Sequence, residues 1–247
     1  MIRGRAIFVP AQDEPPRGMT LVTTGTERRT APDRLPKVDH LWPKSNGCSI
    51  LGRVAQLSFY SAEANQPHAG DLAGLLCCQG QLAEFARTAA RLSLPLDERW
   101  RVRAIRLALA ERRIDATPTV TEDGVHGVRT AFRADLLPLA EEWTKEGEKF
   151  APSGLVLDGG ALRLWVLAAG SWLGTNYLLG LDPEAPDTHD TVRGALASAG
   201  LPATLHGAGL RISGRRRLGR LAELVGSPPS GDAQEHWPAV SGVRRSA

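Results

Sequence analysis

Cysteine is scarce in this chain, with three residues, Cys48, Cys77 and Cys78, among 247. Two of them are adjacent, so no disulfide framework can be drawn, and a reducing cytoplasm is the expected compartment. No apolar run reaches the roughly 20 residues that a membrane-spanning helix needs, and nothing near Met1 reads as an apolar leader with a small-residue cleavage site. With 42% hydrophobic and 23% charged residues, the composition is that of a folded, soluble chain rather than a disordered one. Lysine is almost missing, since 26 of the 30 basic residues are arginine. The planar fork of arginine suits phosphates and base edges, although a GC-rich genome gives the same bias without any function attached.

The formal net charge of +3 hides an uneven distribution. Residues 135–200 carry 4 basic and 10 acidic residues, and the stretches on either side are basic. Residues 1–47 mix Pro, Gly, Thr and Arg with no helical or alternating period, and read as an extended or disordered arm. Residues 227–247 have the same character and read as a flexible tail. Between them one order of elements occurs twice. The first pass has a lead-in at 49–60, a helix at 70–78, and strands at 82–89 and 92–96. A helix follows at 97–113 with Asp97 as cap, then a hairpin of 117–121 with 128–133 around Glu122-Asp123-Gly124, and a helix at 135–146. The second has a helix at 161–169, a strand at 176–181 and a helix from Asp187 or Thr188 to 199. A hairpin of 203–206 with 210–213 and a helix at 215–225 complete it, and its first strand is short or absent. The expectation is a duplicated mixed α/β unit, with halves at 48–150 and 151–226.

The openings of the two passes carry a motif. Leu72-Ala73-Gly74-Leu75-Leu76-Cys77-Cys78-Gln79-Gly80 resembles the sequence after which the LAGLIDADG homing endonucleases are named, matching its first four positions and its last. Leu162-Arg163-Leu164-Trp165-Val166-Leu167-Ala168-Ala169-Gly170-Ser171 is similar to the divergent second motif of two-repeat members. The resemblance spans residues 50–226. It implies two motif helices packed on a pseudo-two-fold axis, with Ala73, Gly74, Ala168 and Ala169 allowing close approach. It also implies saddle-shaped antiparallel sheets whose concave faces lie along the DNA major groove.

In active members an acid just before the final Gly of each motif binds a divalent metal that activates water. The matching positions here are Gln79 and Ala169, so neither motif keeps its acid. The resemblance therefore implies no metal, no cofactor and no catalysis. Three other features invite chemistry. Cys77 and Cys78 read as small buried residues, because no second CxxC or nearby His completes a zinc set. The run Asp182, Glu184, Asp187 and Asp190 with His189 invites a metal, but helix capping and dipole complementarity account for Asp187 and Asp190 more simply. Of the six tryptophans, Trp100, Trp143 and Trp165 fall at core spacing, and Trp172 stands where a DNA-facing strand should begin.

The leading expectation is an inactive LAGLIDADG-like protein that binds double-stranded DNA site-specifically as a monomer, resembling bacterial regulators with degenerate copies of the fold. Its DNA contacts would come from Arg87, Arg91, Arg129, Arg133, Trp172, Arg211, Arg215, Arg216 and Arg217. Within Arg87/Arg91 and Arg129/Arg133 the spacing of four puts both members on one face of a regular strand. Two alternatives stand beside it. The acidic middle suits a protein- or small-molecule-binding scaffold, and Asp71 or Asp158 would serve a residual metal-dependent nuclease.

Overall fold

The computed structural model describes residues 60–229 and 231–238. The arm at 1–47, most of the lead-in at 49–60 and residues 239–247 lie outside the described residues. A 3-10 turn (Ala69–Leu72) runs directly into α1 (Ala73–Leu76), and β1 (Gln81–Phe85), β2 (Ala89–Leu96), α2 (Arg99–Glu111), β3 (Ala116–Val120), β4 (His126–Thr130) and α3 (Leu137–Trp143) follow. A short hairpin, β5 (Thr144–Lys145) with β6 (Glu148–Lys149), leads to the second pass. This consists of α4 (Gly159–Ala169), β7 (Gly170–Leu173), β8 (Asn176–Gly180), α5 (His189–Ser198), β9 (Thr204–Leu205), β10 (Gly209–Ile212) and α6 (Arg215–Val225). A last turn of helix, α7 (Ala233–His236), closes the described chain.

Each pass builds one four-stranded antiparallel sheet with the same strand order, β1-β2-β4-β3 and β7-β8-β10-β9. The fold is thus mixed α/β with antiparallel sheets, as the duplicated pattern predicts. The alternation along β2 shows why: Ala90, Leu92, Leu94 and Leu96 are buried, while Arg91, Ser93 and Pro95 point to the other face. Helix α4 is apolar nearly all round and is buried from Gly159 to Ala168 except for Arg163, which makes it the axis of the core. It meets α1 where a Cβ at Gly74 would drive into the Ala161 carbonyl. Gly74 is therefore one of the small residues that permit the approach, as the motif implies, but its partner is Ala161 rather than Ala168 or Ala169.

Several boundaries differ from the sequence reading, among them the first motif helix (Ala73–Leu76 against 70–78) and β4 (His126–Thr130 against 128–133). The β1–β2 turn falls at Ala86-Arg87 rather than near residue 90, with both residues left-handed (φ 49° and 55°) and the Thr88 N–H donating to the Phe85 carbonyl at 3.0 Å. The first strand of the second pass, β7, is short rather than absent, at four residues. Helix α3 ends at Trp143, because Glu146 and Gly147 take positive φ and turn the chain into the β5–β6 hairpin. The segment after Gly226 is no tail up to residue 238: Trp237 is buried, and its indole N–H donates to the Gly226 carbonyl at 2.8 Å.

Candidate nucleic-acid interface

Residues paired across an antiparallel ladder share a face, so the register reads out the open side of each sheet. In the first sheet Gln81, Ser93, Arg129 and Thr117 form one row. In the second, Ser171, Leu178, Arg211 and Thr204 form another. Gln81 and Ser171 each stand one residue past the closing glycine of their motif, so the rows are equivalent, and each carries an arginine third and a threonine fourth. One row further along β2, Ala83 pairs with Arg91. Among the described residues, Arg87, Arg91, Arg129, Arg211, Arg215 and Arg216 have no acidic partner, and the Nε atoms of Arg91 and Arg211 are shielded from solvent without a hydrogen-bond partner.

Two of the sequence-predicted residues are turned elsewhere. Ser93 pairs with Arg129, but Ala90 pairs with Arg133, so the register advances by one residue between them. Thr130 makes this slip possible, because its hydroxyl oxygen accepts the Leu92 N–H at 3.0 Å in place of a backbone carbonyl. A one-residue slip reverses the face, and Arg133 is held by Asp135 at 2.6 Å instead of sharing the side of Arg129. Trp172 pairs with buried Tyr177 on the core side of its sheet. It meets that ring edge-on at 5.1 Å and donates its indole N–H to the Trp237 carbonyl at 3.2 Å. It is therefore a packing residue. Arg87 is not on a strand at all; it occupies the β1–β2 turn and is exposed there.

Arg215, Arg216 and Arg217 fill the first turn of α6, all exposed, behind Gly214 with φ 94° and no side-chain cap. Cations at this end oppose the helix dipole, and here no acid offsets them within the first turn. With Arg220, Gly200, Pro202 and Ser213 they border a shallow cleft whose charge suits an anion.

The C-terminal ends of the motif helices are where metal-binding acids would stand. Gln79 is exposed and Ala169 half-buried, and both line an open cleft of about 650 Å³. Each helix end is occupied by a cation of the chain itself. Lys149 donates to the Cys78 carbonyl and pairs with buried Asp182 at 2.7 Å. Arg101, 6% exposed, donates to the carbonyls of Leu167 and Gly170 at 2.8 Å each. Burial pulls the Arg101 pKa down and Glu98 partly restores it. Asp97, Glu98 and Glu235 border the same cleft, but Glu98 accepts the Trp100 indole N–H and faces Arg101 and His236 at 3.8 Å each. An amide, a methyl group and two fixed cations do not fit a divalent metal. Cys77 and Cys78 are both buried. Burial pushes the Cys78 thiol up to about 11 and raises Cys77 as well, so neither is a ready nucleophile.

Asp71 and Asp158 lie at the opposite ends of the helices, as their sequence positions require. Among the described residues they form, with His68, the one group of such side chains close enough to share an ion. Asp71 is already taken: Arg112 holds it through Nε at 2.8 Å and Nη2 at 2.6 Å, with both side chains 3% exposed. Asp158 caps α4 by accepting the Ala161 N–H at 2.8 Å. In the second half Asp182 is buried against Lys149 and its carbonyl meets the His189 ring at 2.7 Å, while Asp190 pairs with Arg193 at 2.9 Å. No side-chain hydrogen bond from Asp187 or Asp190 caps the helical turns there, contrary to the capping expectation.

Arg101, Arg112 and Lys149 escaped the sequence reading. A signal exists for the first two, because the buried stripe of α2 reads Arg101, Ile105, Ala108, Leu109, with Arg112 one turn on. An arginine at each end of an apolar stripe marks cations drawn into the core toward a partner.

No protein-family model matches the sequence, and no curated protein matches it. Solved structures do. The homing endonuclease I-WcaI bound to its DNA recognition sequence is 13% identical, over 71% of this chain and 90% of that one, with a TM-score of 0.48. The N-terminal LAGLIDADG domain of DUF199/WhiA is 15% identical, over 64% and 81%, at 0.43. I-DmoI in complex with DNA and Mn is 14% identical, over 64% and 97%, at 0.39. These three structures are of LAGLIDADG homing endonucleases and a LAGLIDADG domain, the family that the two motif helices resemble.

Proposed function

We propose that this protein binds double-stranded DNA at a specific site through the open faces of its two sheets, and acts by occupancy, as a transcriptional regulator, without cutting. The observation that carries this reading is the sorting of the arginines. Those in the interior are spent on carbonyls or carboxylates, as Arg101 and Arg112 are, whereas Arg129 and Arg211 stand in equivalent rows with no acid to neutralise them. Arg87 at a turn and Arg215 to Arg217 at a helix start suit phosphates, and the row arginines suit base edges. The loss of both motif acids, together with Lys149 and Arg101 at the helix ends, supports binding without hydrolysis. The duplicated sheets make a monomer sufficient for an asymmetric site, and the cytoplasm is its place of action.

Fluorescence anisotropy with a selected duplex at 50 and 200 mM salt tests this. Contacts to about four to six phosphates lower affinity by roughly two to three orders of magnitude over that range, at a slope of about 0.9 per contact. Affinity that ignores salt, or ends cut in the presence of Mg or Mn, overturns the reading. No binding to duplex at any salt, with a stable protein partner recovered, favours the scaffold alternative.

A further inference from the structure

The far end of the first sheet exposes two phenylalanines side by side. Phe85, the last residue of β1, is 60% exposed, and Phe132, just past β4, is 41% exposed. Their ring centroids are 5.3 Å apart at 45°. Leaving two large rings in water on one spot has no folding benefit, since each forgoes the gain of burial. The Arg91 guanidinium lies over the Phe132 ring, 4.7 Å from its centroid, with no acid beside it. Its Nε is shielded and unpartnered, so the two terminal nitrogens are the donors left to a ligand. The ring fixes the plane of that fork in advance.

We infer that Phe85, Phe132 and Arg91 read one thymine-guanine step in duplex DNA: the arginine fork donates to guanine O6 and N7, and the rings pack on the neighbouring thymine methyl. This rests on the DNA-binding reading above and names what one end of that interface selects. An end-on fork needs a base edge in the major groove, which paired guanine presents. Stacking of an unpaired base is the poorer fit, because Arg91 already covers one face of Phe132 and the two rings are tilted against each other. Spacing follows from the pleat. Successive rows on one face are about 6.8 Å apart, or about two base-pair rises, so the Arg91 guanine falls about two pairs outward of the base opposite Arg129. The matching end of the second sheet has Leu173 and Asn176 across from each other and neither aromatic nor arginine, so the step belongs to one half of the site only.

The test begins with selection of a site from a randomised duplex library by the full chain. If no sequence is enriched, the DNA-binding reading itself fails. If a site emerges, thymine is replaced by deoxyuracil at each position in turn, which removes only the methyl group. The expected result is one outer thymine, next to a guanine, whose replacement weakens binding about fourfold, the worth of one buried methyl. The Phe85→Ala/Phe132→Ala variant, checked by circular dichroism, no longer distinguishes the two bases, and Arg91→Ala loses about tenfold together with the guanine preference. An enriched site that is indifferent to deoxyuracil at every position overturns the inference and leaves the DNA-binding reading standing. So does tighter binding to a duplex with an unpaired base at that end.

Discussion

The two halves of this molecule agree wherever the backbone is constrained and differ wherever it is not. Strand order, the arginine-threonine rows and the closing glycine of each motif are the same in both. At Gly80 a Cβ would strike the Leu75 carbonyl, and at Gly170 the Val166 carbonyl, so each helix turns into its sheet at a place that admits no side chain. The helix ends are held differently. The first motif has a buried ion pair at its start and Lys149 at its end, and the second has the Asp158 cap and Arg101. Arg101 lies on α2 and Arg112 just past its end, both in the first half, and Lys149 bridges to Asp182 in the second. Arg101 of the first half thus closes the end of the second motif helix, and Asp182 of the second half anchors the lysine that closes the first. The two halves are tied together at these two points.

The sharpest way to break this comparison is to remove the cation at one helix start and the cap at the other. Arg112→Met leaves the buried Asp71 carboxylate with only the exposed His68 beside it, at 3.1 Å, and without its guanidinium, at an expected loss of about 3 kcal/mol in urea unfolding. Adding Asp71→Asn should recover much of that loss, because the cost lies in the unpaired charge. Asp158→Ala at the second helix start removes one capping bond and costs about 1 kcal/mol. Equal losses at the two ends would show that the halves are held alike after all.

A second break concerns the second half alone. Trp237 packs under Arg163, 5.0 Å from its ring centroid, while the adjacent His236 carbonyl accepts the Tyr177 hydroxyl at 2.7 Å. Among the described residues nothing equivalent closes the first sheet. Trp237→Ala should cost about 3 kcal/mol, and a loss under about 0.5 kcal/mol, the ordinary surface range, would make the segment after Gly226 dispensable.

The equivalence of the rows can be sharpened with Arg129→Gln and Arg211→Gln. Each is expected to weaken DNA binding by about 1–3 kcal/mol and to relax preference at one position, the two positions lying on opposite sides of the site centre. Uniform weakening across sequences, with the salt slope reduced by about 1, would mean that these arginines hold phosphates instead.

Much of this was legible in the chain. The duplicated order, α4, α6 and the hairpin at Gly124 follow from apolar period and turn residues. The lost acids at Gln79 and Ala169 are visible in the motifs themselves. What stayed hidden has local physical causes. The slip at Thr130 depends on a hydroxyl replacing a carbonyl, which no period reveals, and it alone removes Arg133 from the open face. Trp172 was misplaced because the burial of its side depends on Trp237, 65 residues away, in a segment whose Pro-Gly composition reads as loose chain.

The smallest effect concerns the other hidden feature, the β1–β2 turn. Three residues, Ala86 to Thr88, join these strands, and positive-φ positions such as the first two are normally filled by Asn or Gly, which tolerate that conformation. Ala86 and Arg87 take it without that tolerance, at a cost of about 1 kcal/mol or more. The corresponding turn of the second sheet uses Gly174 at φ 60°, so the first sheet carries strain that its counterpart avoids. Replacing Ala86-Arg87 by Asn-Gly should stabilise the protein by about 1 kcal/mol while lowering DNA affinity through the lost cation. If stability rises and affinity holds, Arg87 touches no phosphate; if both fall together, the turn is shaped by contacts that an Asn-Gly turn cannot make.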